Sequence, residues 1–249
     1  MKLLIKNTFV WLVVLLLFNG ELKSQQALTQ AKALANETVN MMGGMDNYNA
    51  TQFIGWNFFG KRQLLWDKQN NLVRVDLLNK SISIIASLSD ETCLLYMDGK
   101  QVNDPDSLSK YLEKARLYWM NDSYWLLMPF KLFEDGVLIS YAGRGETADG
   151  RKAEILELTY DNVGATPKNK YLIYIDFETR LISQWDYFEN VNDNKPAISN
   201  AWTDYNWYGK ILLASGRGDV GSITNIHVWE NVPEKIFEQA GMLDFDFIK

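Results

Sequence analysis

The chain has 249 residues, 47% hydrophobic and 22% charged, a globular balance with apolar material to spare for a large core. Its formal net charge is −6 and it has no basic run, which removes the electrostatic basis for a nucleic-acid groove. A single cysteine, Cys93, excludes an intramolecular disulfide, and a single histidine, His227, excludes a multi-histidine zinc site.

Residues 1–24 have the layout of a secretory signal. Lys2 and Lys6 flank the start of an apolar run from Thr8 to Phe18, and Ser24 offers a small residue before Gln25. The run is shorter than the roughly 20 residues that span a bilayer, and no cysteine follows it to carry a lipid anchor. The expected mature chain is therefore one domain, 25–249, exported to the periplasm (or secreted) and without a transmembrane segment. Export would place Cys93 in an oxidising space, but it falls on an apolar strand stripe and reads as a buried, inert thiol.

From Ala27 to Met42, Leu28, Ala31, Leu34, Ala35, Thr38, Met41 and Met42 recur at helical steps, and Gly43-Gly44 supplies the stop. Between Thr51 and Val102 the period changes to two. Ile54, Trp56 and Phe58 are followed by Leu64 and Trp66, then by Val73, Val75 and Leu77. Ile82, Ile84, Ala86 and Leu88, then Cys93, Leu95 and Met97, continue the pattern. Each set lies on one face of a strand, and the polar breaks between them are hairpin turns. The result is an antiparallel meander with one apolar face.

Asp104-Pro105 opens a second helix, Asp as N-cap and Pro at the first helical position, with Leu108, Tyr111, Leu112, Ala115 and Tyr118 or Trp119 on its apolar side. It is expected to end near Asn121-Asp122. The apolar segment Tyr124 to Phe130, with Pro129 inside it, then reads as a short helix or turn. Strands return at 136–141, 152–160, 171–177, 181–188, 201–213 and 223–229, and Pro233 to Gln239 closes with a turn or short helix. The fold class is α+β: a strongly curved antiparallel sheet of about ten or eleven strands, an incomplete β-barrel, with helices packed in its mouth. Such a shape leaves a cavity lined by Ile54, Trp56, Phe58, Leu64, Trp66, Val73, Val75, Ile84 and Leu95 from the strands and by Tyr111, Trp119 and Trp125 from the helical insertion.

The chemistry-bearing residues are sparse. His227 sits on an alternating strand beside Asn225 and Trp229 and reads as structural. Asn190 to Asn194 lacks the central Gly and closing Glu of a calcium loop, and Arg217-Gly218-Asp219 reads as part of a Gly-rich hairpin loop. No catalytic residue, metal or cofactor is assigned. The leading expectation is a monomeric, non-enzymatic binder of a lipid, acyl chain or other apolar ligand. The alternatives are a filled-core scaffold for an envelope protein partner and a carboxylate-dependent hydrolase.

Leu65-Trp66-Asp67-Lys68-Gln69-Asn70-Asn71-Leu72-Val73-Arg74-Val75 resembles the Trp-x-Lys-Arg-Pro-x-x-Phe-x-Trp strand pair of the periplasmic lipoprotein carriers, the LolA/LolB-like superfamily. Ser89 to Tyr96 is similar to that superfamily's Ser-Asp-Gly-x-x-Leu-Trp-x-Tyr stretch, and Asn121 to Leu132 resembles an exported subfamily of it. The resemblance implies an open half-barrel with a helical lid and a hydrophobic cavity that receives acyl chains. Gln69 and Asn70 stand where the carriers have Arg-Pro, so the functional role of that arginine is not carried over.

Overall fold

The period-two stripes fold as strands β1 (Phe53–Phe58), β2 (Arg62–Asp67), β3 (Leu72–Leu77), β4 (Ile82–Ser87), β5 (Cys93–Met97) and β6 (Lys100–Val102), joined as an antiparallel meander. The computed structural model describes residues 25–161 and 166–248, so the leader expected at 1–24 lies outside the described residues. The β5–β6 turn is Asp98-Gly99 with both φ positive, the two-residue geometry whose twist matches the flanking strands.

The first described helix, α1, covers residues 25–41, and α2 (Gly44–Ala50) follows. Gly43 between them takes φ +103 and packs directly on the Lys210 carbonyl, so a side chain there would meet both strain and a clash. Ala31, Leu34, Ala35 and Thr38 are buried as the helical stripe predicts, but Met41 is exposed and Val39 takes the inward place. The long helix α3 (Pro105–Leu127) starts as expected, with the Asp104 carboxylate accepting from the Ser107 amide at 2.9 Å. It does not stop at Asn121-Asp122. The Asp122 side chain is fully buried and takes two bonds from Arg62 at 2.6 and 2.7 Å, so the apparent stop is an anchor, and a 3₁₀ turn holding Pro129 follows at Met128–Lys131.

The remaining strands are β7 (Val137–Glu146), β8 (Lys152–Tyr160), β9 (Lys170–Asp176), β10 (Ile182–Phe188), β11 (Ile198–Ala201), β12 (Thr203–Tyr208), β13 (Ile211–Gly216) and β14 (Thr224–Trp229). They build a seven-stranded sheet, β14-β1-β2-β3-β4-β5-β6, a five-stranded sheet, β11-β10-β9-β8-β7, and a β12–β13 hairpin. All named pairs are antiparallel, the large sheets are curved and open, and the class is α+β as expected. The described strands outnumber the expectation for local reasons. Asp98-Gly99 and Gly209 each split one apparent run into two strands, and β11, of four residues, is too short to show a period.

Two faces of the seven-stranded sheet are buried. The stripe face packs on Leu112, Ala115, Leu126 and Leu127 of α3 and on Ile211 and Leu213 of β13. The opposite face, with Phe53, Leu65, Ile85 and Tyr96, is covered by the C-terminal segment through Val232, Ile236, Phe237, Leu243, Phe245 and Ile248. Phe245 and Trp229 lie so close over Gly55 that a Cβ there would sit 2.6 to 2.7 Å from their rings. Buried Arg74 clamps this strap. Its guanidinium pairs with Asp76 at 3.1 Å and donates to the carbonyls of Ile236 (2.6 Å), Gln239 (3.0 Å) and Gly241, while Asp76 accepts from the Leu243 amide at 2.8 Å.

Removing one member of a buried, hydrogen-bonded ion pair strands the other, at a cost of about 3–5 kcal/mol. Arg74→Met is expected to lower unfolding stability by that amount in urea and to raise hydrogen exchange across residues 236–243. A stability within about 0.5 kcal/mol of the parent would show that the clamp does not hold the strap.

Candidate functional site

All the expected lining residues from the strands, Ile54, Trp56, Phe58, Leu64, Trp66, Val73, Val75, Ile84 and Leu95, are buried in one core cluster. Tyr111, Trp119 and Trp125 of α3 are half-buried against the same cluster. The stripe is thus gathered on one face, but α3 and β13 fill most of it from above, and the strand residues just named line neither of the open volumes described next.

Two open volumes stand out among the described residues. One is a groove of about 930 Å³ on the strap side of the sheet, floored by Phe53, Leu72, Ile85 and Leu94. The other is a cavity of about 340 Å³ where the second half of α3 meets the starts of β7 and β9 and the end of β8. Trp119 and Trp125 line this second cavity, together with Tyr124, Lys131, Tyr160 and Tyr171. Glu134 and Asp135, both exposed, stand at its mouth.

Its wall is a continuous aromatic array. Tyr124 lies 5.6 Å from Tyr171 and 6.4 Å from Tyr160, Tyr171 stacks on Trp185 at 5.1 Å, and Trp125 meets Trp185 edge-on at 4.9 Å. These separations are those of favourable ring contacts, and they make the wall rigid without filling the space in front of it. The Tyr124 and Tyr160 hydroxyls bond to each other. The end of α3 is pinned by Arg217, fully buried over the Trp202 ring at 3.6 Å, whose guanidinium donates to the carbonyls of Trp125, Ala214 and Gly216. Burial lowers its pKa, yet it stays a cation at neutral pH. The Arg-Gly-Asp tripeptide is therefore structural, its arginine hidden from any partner.

Lys131 is the charged group inside the cavity, with 7% of its side chain exposed. Its ammonium lies 5.1 Å from the Trp119 ring and 5.8 Å from that of Trp66, and bonds to Glu134 at 3.1 Å. Lys68 approaches the Trp66 ring as well, at 5.8 Å, and burial together with the charge of Lys131 brings its pKa down to about 8. Sequence periodicity did not single out Tyr160, Tyr171 or Lys131. Lys131 did carry a signal: it is the one charge within the apolar stretch Tyr124 to Leu132.

The other singled-out groups have structural partners or are half-buried. His227 stacks on Trp229 at 5.0 Å, meets Phe245 edge-on, and bonds Asn225 at 2.8 Å through Nε2. Cys93 is half-buried rather than buried, and burial pushes its thiol up to about 11, which keeps it protonated at neutral pH. Among the described residues no cluster of three or more His, Cys, Asp or Glu is placed to hold a metal, and no helix is long and apolar enough to cross a membrane.

No family model and no curated protein matches the chain. Among solved structures it is similar to a DUF1329 family protein from Desulfovibrio piger, at 14% identity and TM-score 0.45, covering 83% of this chain and 96% of that one. It is similar to a LolA superfamily protein from Nitrosomonas europaea, at 11% identity and TM-score 0.42, with the same coverages of 83% and 96%. A third is MucB, solved in complex with MucA(peri), at 12% identity and TM-score 0.25, covering 86% of this chain and 62% of that one.

Burial raises the pKa of Tyr48, Tyr124, Tyr160 and Tyr205, and brings Tyr171 up to about 12. A tyrosine with a raised folded-state value stabilises fully below its unfolded value near 10, and that contribution is lost as pH rises further. Each unit above 10 withdraws about 1.4 kcal/mol per tyrosine, so five together exceed a marginal stability before pH 12. Alkaline titration is expected to ionise the more exposed tyrosines first, and the buried ones only together with loss of near-UV dichroism, in one cooperative step between about pH 10 and 12. Ionisation of all twelve tyrosines with the dichroism intact would contradict the burial of these rings.

Proposed function

We propose that this protein is an exported, non-enzymatic binding protein for a lipid, acyl chain or other apolar ligand, and that the ligand enters the aromatic cavity between α3 and the ends of β7, β8 and β9. The observation that carries the reading is the cavity itself: about 340 Å³, walled by Trp119, Trp125, Tyr124, Tyr160 and Tyr171, in a molecule whose stripe face is otherwise packed shut. That volume lies at the small end of ligand pockets, and an apolar wall with one buried charge is the lining such pockets have. Burying ten methylenes at about 0.8 kcal/mol each supplies about 8 kcal/mol, the scale of micromolar affinity. Trp119 and Trp125 are the residues of the expected lining that serve the site.

Export rests on the signal-like layout of residues 1–24, with the periplasm as the destination, and residues 25–249 form one monomeric domain in this reading. Trp125 and Tyr205 support the single domain, since each packs against the cores of both large sheets. A filled scaffold that docks an envelope protein is the second reading, favoured by the closed packing of Ile54, Trp56, Leu64, Val73 and Ile84.

Titration with a dansylated fatty acid is expected to give saturable fluorescence and a one-to-one adduct in native mass spectrometry. Val137→Trp, which places an indole in the cavity, is expected to weaken uptake about tenfold or more, a loss of about 1.4 kcal/mol, with the urea midpoint little changed. A clean apo mass after incubation with fatty acids and phospholipids would sink the binding reading and leave the scaffold.

A further inference from the structure

We infer that the cavity selects single-chain amphiphiles with an anionic head, a carboxylate or a phosphate monoester, and that Lys131 holds that head. The inference rests on the binding reading above and names the chemistry of the ligand at that site.

Charge in the cavity is layered. The two carboxylates at the mouth, Glu134 and Asp135, are exposed, and the Glu134 side chain is 53% open to water. An ion pair with so exposed a partner contributes little, so the Lys131 charge is not neutralised inside the protein. A buried ammonium has three N–H donors and an energetic need to use them. Here the structure gives it one hydrogen-bond partner, Glu134, and two indole faces, Trp119 at 5.1 Å and Trp66 at 5.8 Å. Lys68 approaches the same Trp66 ring and adds a second cation near the first; burial lowers its pKa and the charge of Lys131 lowers it further.

A second donor points the same way. The Tyr124 and Tyr160 hydroxyls share one hydrogen bond, which uses one of their two protons and leaves the other to donate. Burial holds both phenols protonated. An ammonium and a phenol O–H lining one cavity make a pair of donors for an oxyanion, and a charge-assisted bond of this kind is about twice as strong as a neutral one. Met120, Trp125, Val137 and Tyr171 remain to meet the chain of the ligand. A neutral ester would leave the Lys131 charge without its counter-ion, and an amine would oppose it.

The test compares ligands with one chain and different heads. Oleate, oleoyl lysophosphatidate, methyl oleate and oleylamine are titrated by displacement of the dansylated probe from the parent protein, Lys131→Met and Lys131→Arg. The parent is expected to prefer oleate or the lysophosphatidate over methyl oleate by about tenfold or more, with the better of the two anions naming the head. Lys131→Met should level that preference while keeping the ester's affinity, and Lys131→Arg should restore it. Should Lys131→Met not fold, the parent's own ranking decides, and Lys68→Met should narrow the preference by a smaller factor. Equal affinity of the parent for oleate and methyl oleate overturns the head assignment and leaves the binding reading standing. Loss of both ligands by a folded Lys131→Met overturns it too, by making the lysine a structural group. Binding of none of the four by the parent overturns both.

Discussion

The central strands of the seven-stranded sheet are buried on both faces, and the rest of the structure answers that constraint. One face is apolar by sequence and needs a lid, which α3 and the β12–β13 hairpin supply. The other face mixes Phe53, Leu65 and Ile85 with Gln63, Arg74, Asp76 and Ser83, and all of these are buried under the terminal strap. A polar group taken out of water must find a partner or cost several kcal/mol. The strap solves this with its own backbone: its carbonyls and the Leu243 amide take the places water would have held.

The same solution recurs at Arg217, again with backbone carbonyls as the partners. A guanidinium can be buried against carbonyls and a ring, as Arg217 is between the Trp125 carbonyl and the Trp202 face. That bond also fixes where α3 ends. With the helix end fixed, Trp125 is held between the two large cores and Trp119 and Tyr124 are held over the space in front of the five-stranded sheet. The cavity is therefore a consequence of how α3 is anchored, at Asp122 by Arg62 and at Trp125 by Arg217.

The strands of the first half were legible because period two is a local property, and so was the start of α3, where Asp104 and Pro105 act on neighbouring amides. Its end was not, because Asp122 is held by Arg62, sixty positions away in sequence, and no local pattern contains that partner. The outer face of the meander misled for a related reason. Gln63, Arg74 and Asp76 alternate with apolar residues, as solvent-facing positions do, and only the strap's arrival buries them. At the cavity, Trp119 and Trp125 were recognisable as lid aromatics, whereas Tyr160 and Tyr171 sit at strand ends, and their meeting with Tyr124 is made by tertiary packing alone.

The position of the strap also governs when the molecule can form. Arg74 reaches Ile236 and Gly241 across more than 160 residues of chain, and β1 takes its outer neighbour from β14. Contacts this distant in sequence cannot form until nearly the whole described chain has been synthesised, and loop closure of that length slows folding. A nascent β1–β6 meander would leave one side of its sheet open throughout translation. The element that locks the fold is therefore among the last of the described residues to be made.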